Sequence, residues 1–345
     1  MNKNYNFIDI IKFICALLII MSHYASEWGN FNSSIDMIFS LYIIAVPFFF
    51  VSSSFFFFKK CIIADKHNKE VLIKSYIKRI MLMYGSWSII YITFNLITWY
   101  INGIQTSEVL AYIQQLLVYS SYKTIWFLPA TAIGVVMVYY LSKYFNIRQI
   151  VAIGVVFYII GCLGESYDFL LDTCEPIKKI YEAYNSIFIT TRNGIFNGFP
   201  FAVLGYVIAV GENKQNKFVF DFFMTVLFAV LFVAEAVIIK KLYMATNANT
   251  ILMLYPFSFF FFRGALSINL KNSKIYVLIR KLSTVMFLSQ RIFLSALPAL
   301  FTDSIFTLML NYNSWIGLLY VLSTTLIFSL LLIKFSKCPI IKYLV

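Results

Sequence analysis

Ten stretches of this chain are apolar over about the length of helix that crosses a lipid bilayer. An α-helix rises 1.5 Å per residue and the hydrocarbon core is about 30 Å thick, so a crossing takes about 20 residues. The stretches occupy residues 7–25, 35–58, 80–101, 124–142, 149–164, 185–210, 219–239, 250–269, 279–300 and 314–335. No soluble core of 345 residues has room for so many, and only 12% of the chain is charged, about half the share usual in soluble domains. In lipid each segment must satisfy its own backbone polar groups, which makes helices of segments this long. The expectation is an all-α, polytopic transmembrane bundle of about ten spans, with residues 1–345 forming one membrane domain. A weaker apolar run at 105–120 reads as a surface or re-entrant helix. The first stretch contains Asp9 and Lys12 and lacks a small-residue cleavage site, so it reads as a span and not a secretion signal.

Ten spans put both termini on one side. That side then collects 19 Lys and Arg, against five (Lys123, Lys178, Lys179, Lys240 and Lys241) opposite. Basic loops stay in the cytoplasm, so the bias predicts N-in and C-in topology in a cell membrane. The net charge of +13 therefore belongs to topology-setting loops in contact with the bilayer, and no nucleic-acid partner is expected. The basic amphipathic segment 71–79 suits anionic lipid or a phosphate-rich ligand. Cys15, Cys61, Cys162, Cys174 and Cys338 show neither a CxxC pair nor a regular spacing; they read as packing residues, with no metal site expected.

Charges inside spans need a reason, since each costs at least about 2.5–3.5 kcal/mol to insert. In the first span Asp9, Lys12, Ala16, Ile20, His23 and Glu27 fall on a stripe of roughly 80°. Asp9 and Lys12 are spaced to pair at the inner end, and His23 and Glu27 at the outer end. About 16 Å of rise separates Lys12 from His23. A helix lining a polar cavity is the expectation, with snorkelling at the helix ends as the alternative. Arg192, followed by Asn193 and Asn197, reads as a substrate contact or a carbonyl-bonded arginine within span six. Gln290 and Arg291 interrupt span nine near its middle and read as facing a polar interior, while Arg263 reads as snorkelling.

These residues resemble the acyltransferase-3 family of membrane O-acyltransferases over nearly the whole chain. The resemblance rests on Asp9, Lys12 and His23; on Val46, Pro47, Phe48, Phe49 and Ser52; on Arg79; on Trp126, Phe127 and Leu128; and on the segment 192–205. The chain departs from the family pattern at Lys12 (usually arginine), at Leu82, where a paired arginine is incomplete, and at Gln290, where a histidine is frequent. The segment 190–201 also resembles the membrane part of membrane-bound serine racemases, regarded as an amino-acid uptake module.

The resemblance implies transfer of an acyl group, often acetyl, from cytoplasmic acyl-CoA to a hydroxyl of a cell-surface glycan or envelope precursor. Acyl-CoA would be a co-substrate and not a resident cofactor. By the same resemblance His23 is the outer catalytic base, and Lys12 and Arg79, with Asp9 and Lys78 beside them, hold the donor. Glu27 is expected from its spacing to orient His23. Trp126, Arg192, Asn193, Asn197, Gln290 and Arg291 are the acceptor or cavity-lining candidates. The competing readings are a carrier for an amino acid or glycan intermediate, disfavoured by the lack of internal repeats, and a scaffold without catalysis.

Overall fold

The computed structural model describes residues 5–31, 40–211, 218–242, 250–301, 305–339 and 341–345. All its regular elements are helices. In chain order the α-helices of eight residues or more are α1 (Asn6–Glu27), α2 (Ala45–Ile63), α3 (Lys66–Asn102), α4 (Thr106–Val118), α5 (Phe127–Leu141), α6 (Ile147–Leu163), α7 (Glu175–Phe188), α8 (Phe199–Gly211), α9 (Phe218–Leu242), α10 (Leu254–Leu266), α11 (Ile275–Arg291), α12 (Ile305–Tyr312) and α13 (Ser314–Lys334). A 3₁₀ turn, Ser40–Ile44, leads into α2. A π-turn, Gly194–Gly198, leads into α8, and another, Ile292–Ala296, extends α11.

Each of the ten apolar stretches contains a helix, though residues 35–39 of the second lie outside the described part. Among the described residues seven helices, counted with their adjoining turns, are long and apolar enough to cross a bilayer. The other three, α5, α6 and α10, have 15, 17 and 13 residues. At 1.5 Å per residue these are short of a full crossing.

The structure corrects the sixth span. Residues 185–188 close the amphipathic α7, the chain breaks at Ile189 (φ 67°), and the apolar segment begins only at Gly194. A β-branched residue in the left-handed region ends a helix, because its Cβ crowds the backbone there. Arg192 thus sits in a loop at the mouth of the span and not within it.

The segment 71–79 is not a separate helix. It is the first half of α3, whose 37 residues would rise about 55 Å. That exceeds the hydrocarbon thickness, so the basic half projects beyond it. Ile73, Tyr76 and Ile80 on its inner side are buried, and Tyr76 packs on Phe57 at 4.7 Å. The run at 105–120 is α4, a helix with no buried residue and a capping box between Gln105 and Glu108, as fits a surface element.

The core is built on the phenylalanines of α2. Phe50 packs on Phe127 of α5 at 4.6 Å, and Phe48 and Phe55 pack on Phe262 of α10 at 5.3 and 5.4 Å. α8 lies against α2 at a glycine: a Cβ on Gly205 would stand 1.9 Å from Ser54 Oγ and 2.5 Å from the Val51 carbonyl. Helices approach this closely only through small residues. α9 faces outward along most of its length. It is tied to α10 by Asp221, which pairs with Arg263 at 3.2 Å, and by Glu235, which accepts from the Leu252 and Met253 N–H groups, both at 2.8 Å. Arg263 therefore pairs with a buried carboxylate, where the sequence suggests snorkelling.

Candidate active site

α1 and α11 lie side by side and are joined by ion pairs at both ends. Near the start of α1, Arg280 donates from Nε to Asp9 Oδ1 (2.9 Å) and from its terminal nitrogen to Oδ2 (2.7 Å). This fork replaces the expected Asp9–Lys12 pair, because a guanidinium satisfies both carboxylate oxygens at once. Lys12 instead holds its ammonium 5.2 Å over the Phe56 ring. The charges of Arg280 and Arg79 both act on Lys12, so three cations gather at this end of α1. Arg79 lies 5.8 Å over the Tyr76 ring, and Lys78 is exposed beside it.

At the other end of α1, Arg291 donates to Glu27 and, through Nε, to Thr124 Oγ1 at 3.1 Å. His23 meets a different residue: its Nδ1 lies 3.0 Å from Gln290 Oε1. The expected His23–Glu27 pair is therefore absent, since Glu27 is taken by a full positive charge on α11. Gln290 and Arg291 stand level with the last turns of α1, directly before the π-turn of α11. Such turns widen a helix locally and recur at functional sites.

His23 and Arg291 open onto a cavity of about 230 Å³. Tyr42, Tyr119, Lys123, Trp126, Arg192 and Asn197 also line it. Arg192 sits 5.6 Å over the Trp126 ring, and Tyr119 stacks on that ring at 5.8 Å and 14°. On α1 the lining stops at Ile19, and on α11 at Phe287. Phe287 there meets Phe49 and Phe127 at 5.5 and 5.6 Å, so a cluster of rings stands between this floor and the Lys12 end.

Asn193 does not line the cavity. It caps the π-turn, accepting from the Ile195 and Phe196 N–H groups at 2.9 and 3.2 Å, and donates to the Tyr184 hydroxyl at 2.6 Å. Gln290 lies behind His23 and is fully buried. The structure thus brings together His23, Trp126, Arg192, Asn197 and Arg291 at one end, and Asp9, Lys12 and Arg79 at the other. Sequence reasoning missed Tyr42, Tyr119, Lys123 and Thr124 as lining residues, and missed Arg280 as the partner of Asp9. The polar run Tyr119–Lys123 just before Trp126 was the available signal. For Arg280 there was none, because its place depends on how α11 packs on α1.

A helical bundle whose described span charges largely pair across helices, with a cavity opening beside a histidine, is that of a multi-pass membrane protein. The profile of the Acyltransferase domain family matches residues 5–334, and the chain belongs to that acyltransferase-3 family. It is also similar to an amino-acid racemase of Enterococcus faecalis, with 32% identity over 218 residues, 63% of this chain and 30% of that protein. A second amino-acid racemase of the same organism is 22% identical over 59% of the chain, and a serine/alanine racemase of Enterococcus gallinarum is 24% identical over 61%. The chain spans about 30% of the length of these relatives. No solved structure matches it.

Proposed function

We propose that this chain is a membrane O-acyltransferase moving an acyl group, acetyl in the expected case, from acyl-CoA to a hydroxyl of a cell-surface glycan or envelope precursor. The observation that carries this reading is the state of His23. Gln290 donates from its amide nitrogen to the Phe287 carbonyl at 3.0 Å, so the atom it turns to His23 is an acceptor. Nδ1 must then carry the proton, which leaves Nε2 with its lone pair as the base. Family membership supplies the reaction class.

In the mechanism, Nε2 takes the proton of the acceptor hydroxyl while that oxygen bonds to the thioester carbonyl carbon. The C–S bond breaks, and the imidazolium returns its proton to the departing sulfur, giving ester and CoA thiol. Lys12, Arg79 and Arg280 would hold the donor's phosphates at the cytoplasmic mouth, as cations suit them. The acyl arm would then pass the cluster of Phe49, Phe127 and Phe287, whose rings must part to admit it.

The test is acyl transfer by purified protein in nanodiscs, with radiolabelled acetyl-CoA and envelope glycan fractions. His23→Ala should abolish transfer while melting behaviour stays near that of the parent. Retained transfer would remove His23 from the mechanism. A second reading, a module that handles an amino acid without acyl transfer, is favoured by the racemase names of the relatives. It predicts amino-acid flux into proteoliposomes with no acyl-CoA present.

A further inference from the structure

We propose that the acceptor carries a negatively charged group on the same small unit as its reacting hydroxyl, and that Arg192 and Lys123 seat this group in the cavity. The inference rests on the transferase reading for the hydroxyl, but the anion site itself does not. Among the described residues that line the cavity there are three permanent cations, Lys123, Arg192 and Arg291, and no Asp or Glu.

Arg291 is neutralised by Glu27 and hydrogen-bonded to Thr124. Arg192 is hydrogen-bonded to Tyr119 but has no such carboxylate on its guanidinium among the described residues. Glu165 acts on it from outside the lining, where it also accepts from Thr190, yet the Nε of Arg192 is buried with no hydrogen-bond partner. A buried, charged donor left without an acceptor is costly, so a ligand atom that accepts there recovers that free energy. Lys123 has no carboxylate within ion-pair distance among the described residues.

The positive charges of Arg192 and Lys123 also act on the His23 ring, which places the anion site and the proposed base in one compartment. At about 230 Å³ that compartment is of a size for a single sugar or a three-carbon unit. His23, Lys123 and Arg192 line this one cavity, so hydroxyl and anion sit close together, as in a hydroxy acid, a uronic acid or a phosphorylated polyol. Tyr119 and Trp126 bring aromatic edges to the lining against which the apolar face of such a unit packs.

The experiment measures binding without any acyl donor. Protein in nanodiscs is titrated with glycerate, glycerol phosphate and glucuronate, and in parallel with the neutral glyceramide, glycerol and glucose, reading Trp fluorescence and melting temperature. Binding of the anionic probes at least about tenfold tighter than their neutral counterparts is expected. Glycerate and glucuronate binding without glycerol phosphate identifies a carboxylate, and the reverse a phosphate. Arg192→Gln should erase the preference. Lys123→Gln, at an exposed position that does not threaten folding, should reduce it several-fold and steepen no salt dependence. Equal binding of charged and neutral probes, binding of none, or an unchanged preference in both variants overturns the proposal. Because no acyl donor is present, a transferase that fails to transfer still gives a clear result here, and an anion site that fails leaves the transfer assay intact.

Discussion

Oε1 of Gln290 lies 3.0 Å from Nδ1 of His23, and the two residues are 267 positions apart in the chain. One carbonyl oxygen from α11 sets which nitrogen of a ring on α1 keeps its lone pair. The glutamine is held in turn by the Phe287 carbonyl one helical turn earlier. The amide therefore cannot rotate to present its nitrogen without giving up that bond.

Gln290→Leu should slow acyl transfer by about 10²-fold or more, the range by which a positioned base contributes. Gln290→Glu keeps an acceptor facing Nδ1 and should retain much more of the rate. The check is the initial rate of transfer at saturating acetyl-CoA, with melting temperature measured alongside. Equal losses in both variants would mean that the contact matters for packing alone.

Asp9 and Arg280 form a pair with unequal burial: 2% of the Asp9 side chain is exposed, against 54% of Arg280. Removing the arginine strands a buried carboxylate, whereas removing the carboxylate leaves an arginine that water can reach. Arg280→Ala should then destabilise by about 3–5 kcal/mol, and Asp9→Asn by distinctly less. Chemical unfolding in detergent of both single variants and the double variant measures the difference. Arg280→Ala should also raise the acetyl-CoA concentration for half-maximal rate if the Lys12 mouth binds the donor.

Two glycines make opposite predictions. At Gly205 an added Cβ would lie 1.9 Å from Ser54 Oγ and 2.8 Å from the Phe55 backbone nitrogen, so Gly205→Ala must push α8 off α2. A loss of about 1–3 kcal/mol or more is expected for such overpacking. Gly85, within α3, has nothing within 4 Å of that position. There the alanine should be neutral or stabilise by up to about 1 kcal/mol, the usual helix preference. Melting temperatures of the two variants, compared with the parent, check both.

Hydropathy located the helices because lipid demands apolar length, which is a local property. It missed the start of the sixth span because Asn185–Phe188 is apolar enough to extend the run, while the break depends on Ile189 and on the Asn193 cap. It gave the right face of α1, since Asp9, Ala16 and Ile20 are buried and His23 lines the cavity. It paired those residues wrongly. Helical spacing shows only neighbours on one helix, and the true partners, Arg280, Gln290 and Arg291, arrive from α11. Asp221 and Glu235 went unremarked for the same reason, their partners being on or just before α10.

Glu27 distinguishes the two ways of arranging the far end of α1. If it oriented His23, as helical spacing alone suggests, Glu27→Gln would cost the rate about as much as loss of Gln290. In the structure its partner is Arg291, whose side chain is only 6% exposed. Glu27→Ala should therefore act through stability, by about 3–5 kcal/mol, because it leaves a buried guanidinium with Thr124 as its remaining side-chain acceptor. Glu27→Gln still offers an oxygen to Arg291 and should unfold closer to the parent, with transfer reduced less than tenfold. Adding Arg291→Met to Glu27→Ala removes the stranded charge and should restore part of the lost stability. A Glu27→Gln protein that folds normally but transfers as slowly as Gln290→Leu would return Glu27 to the role of orienting the base.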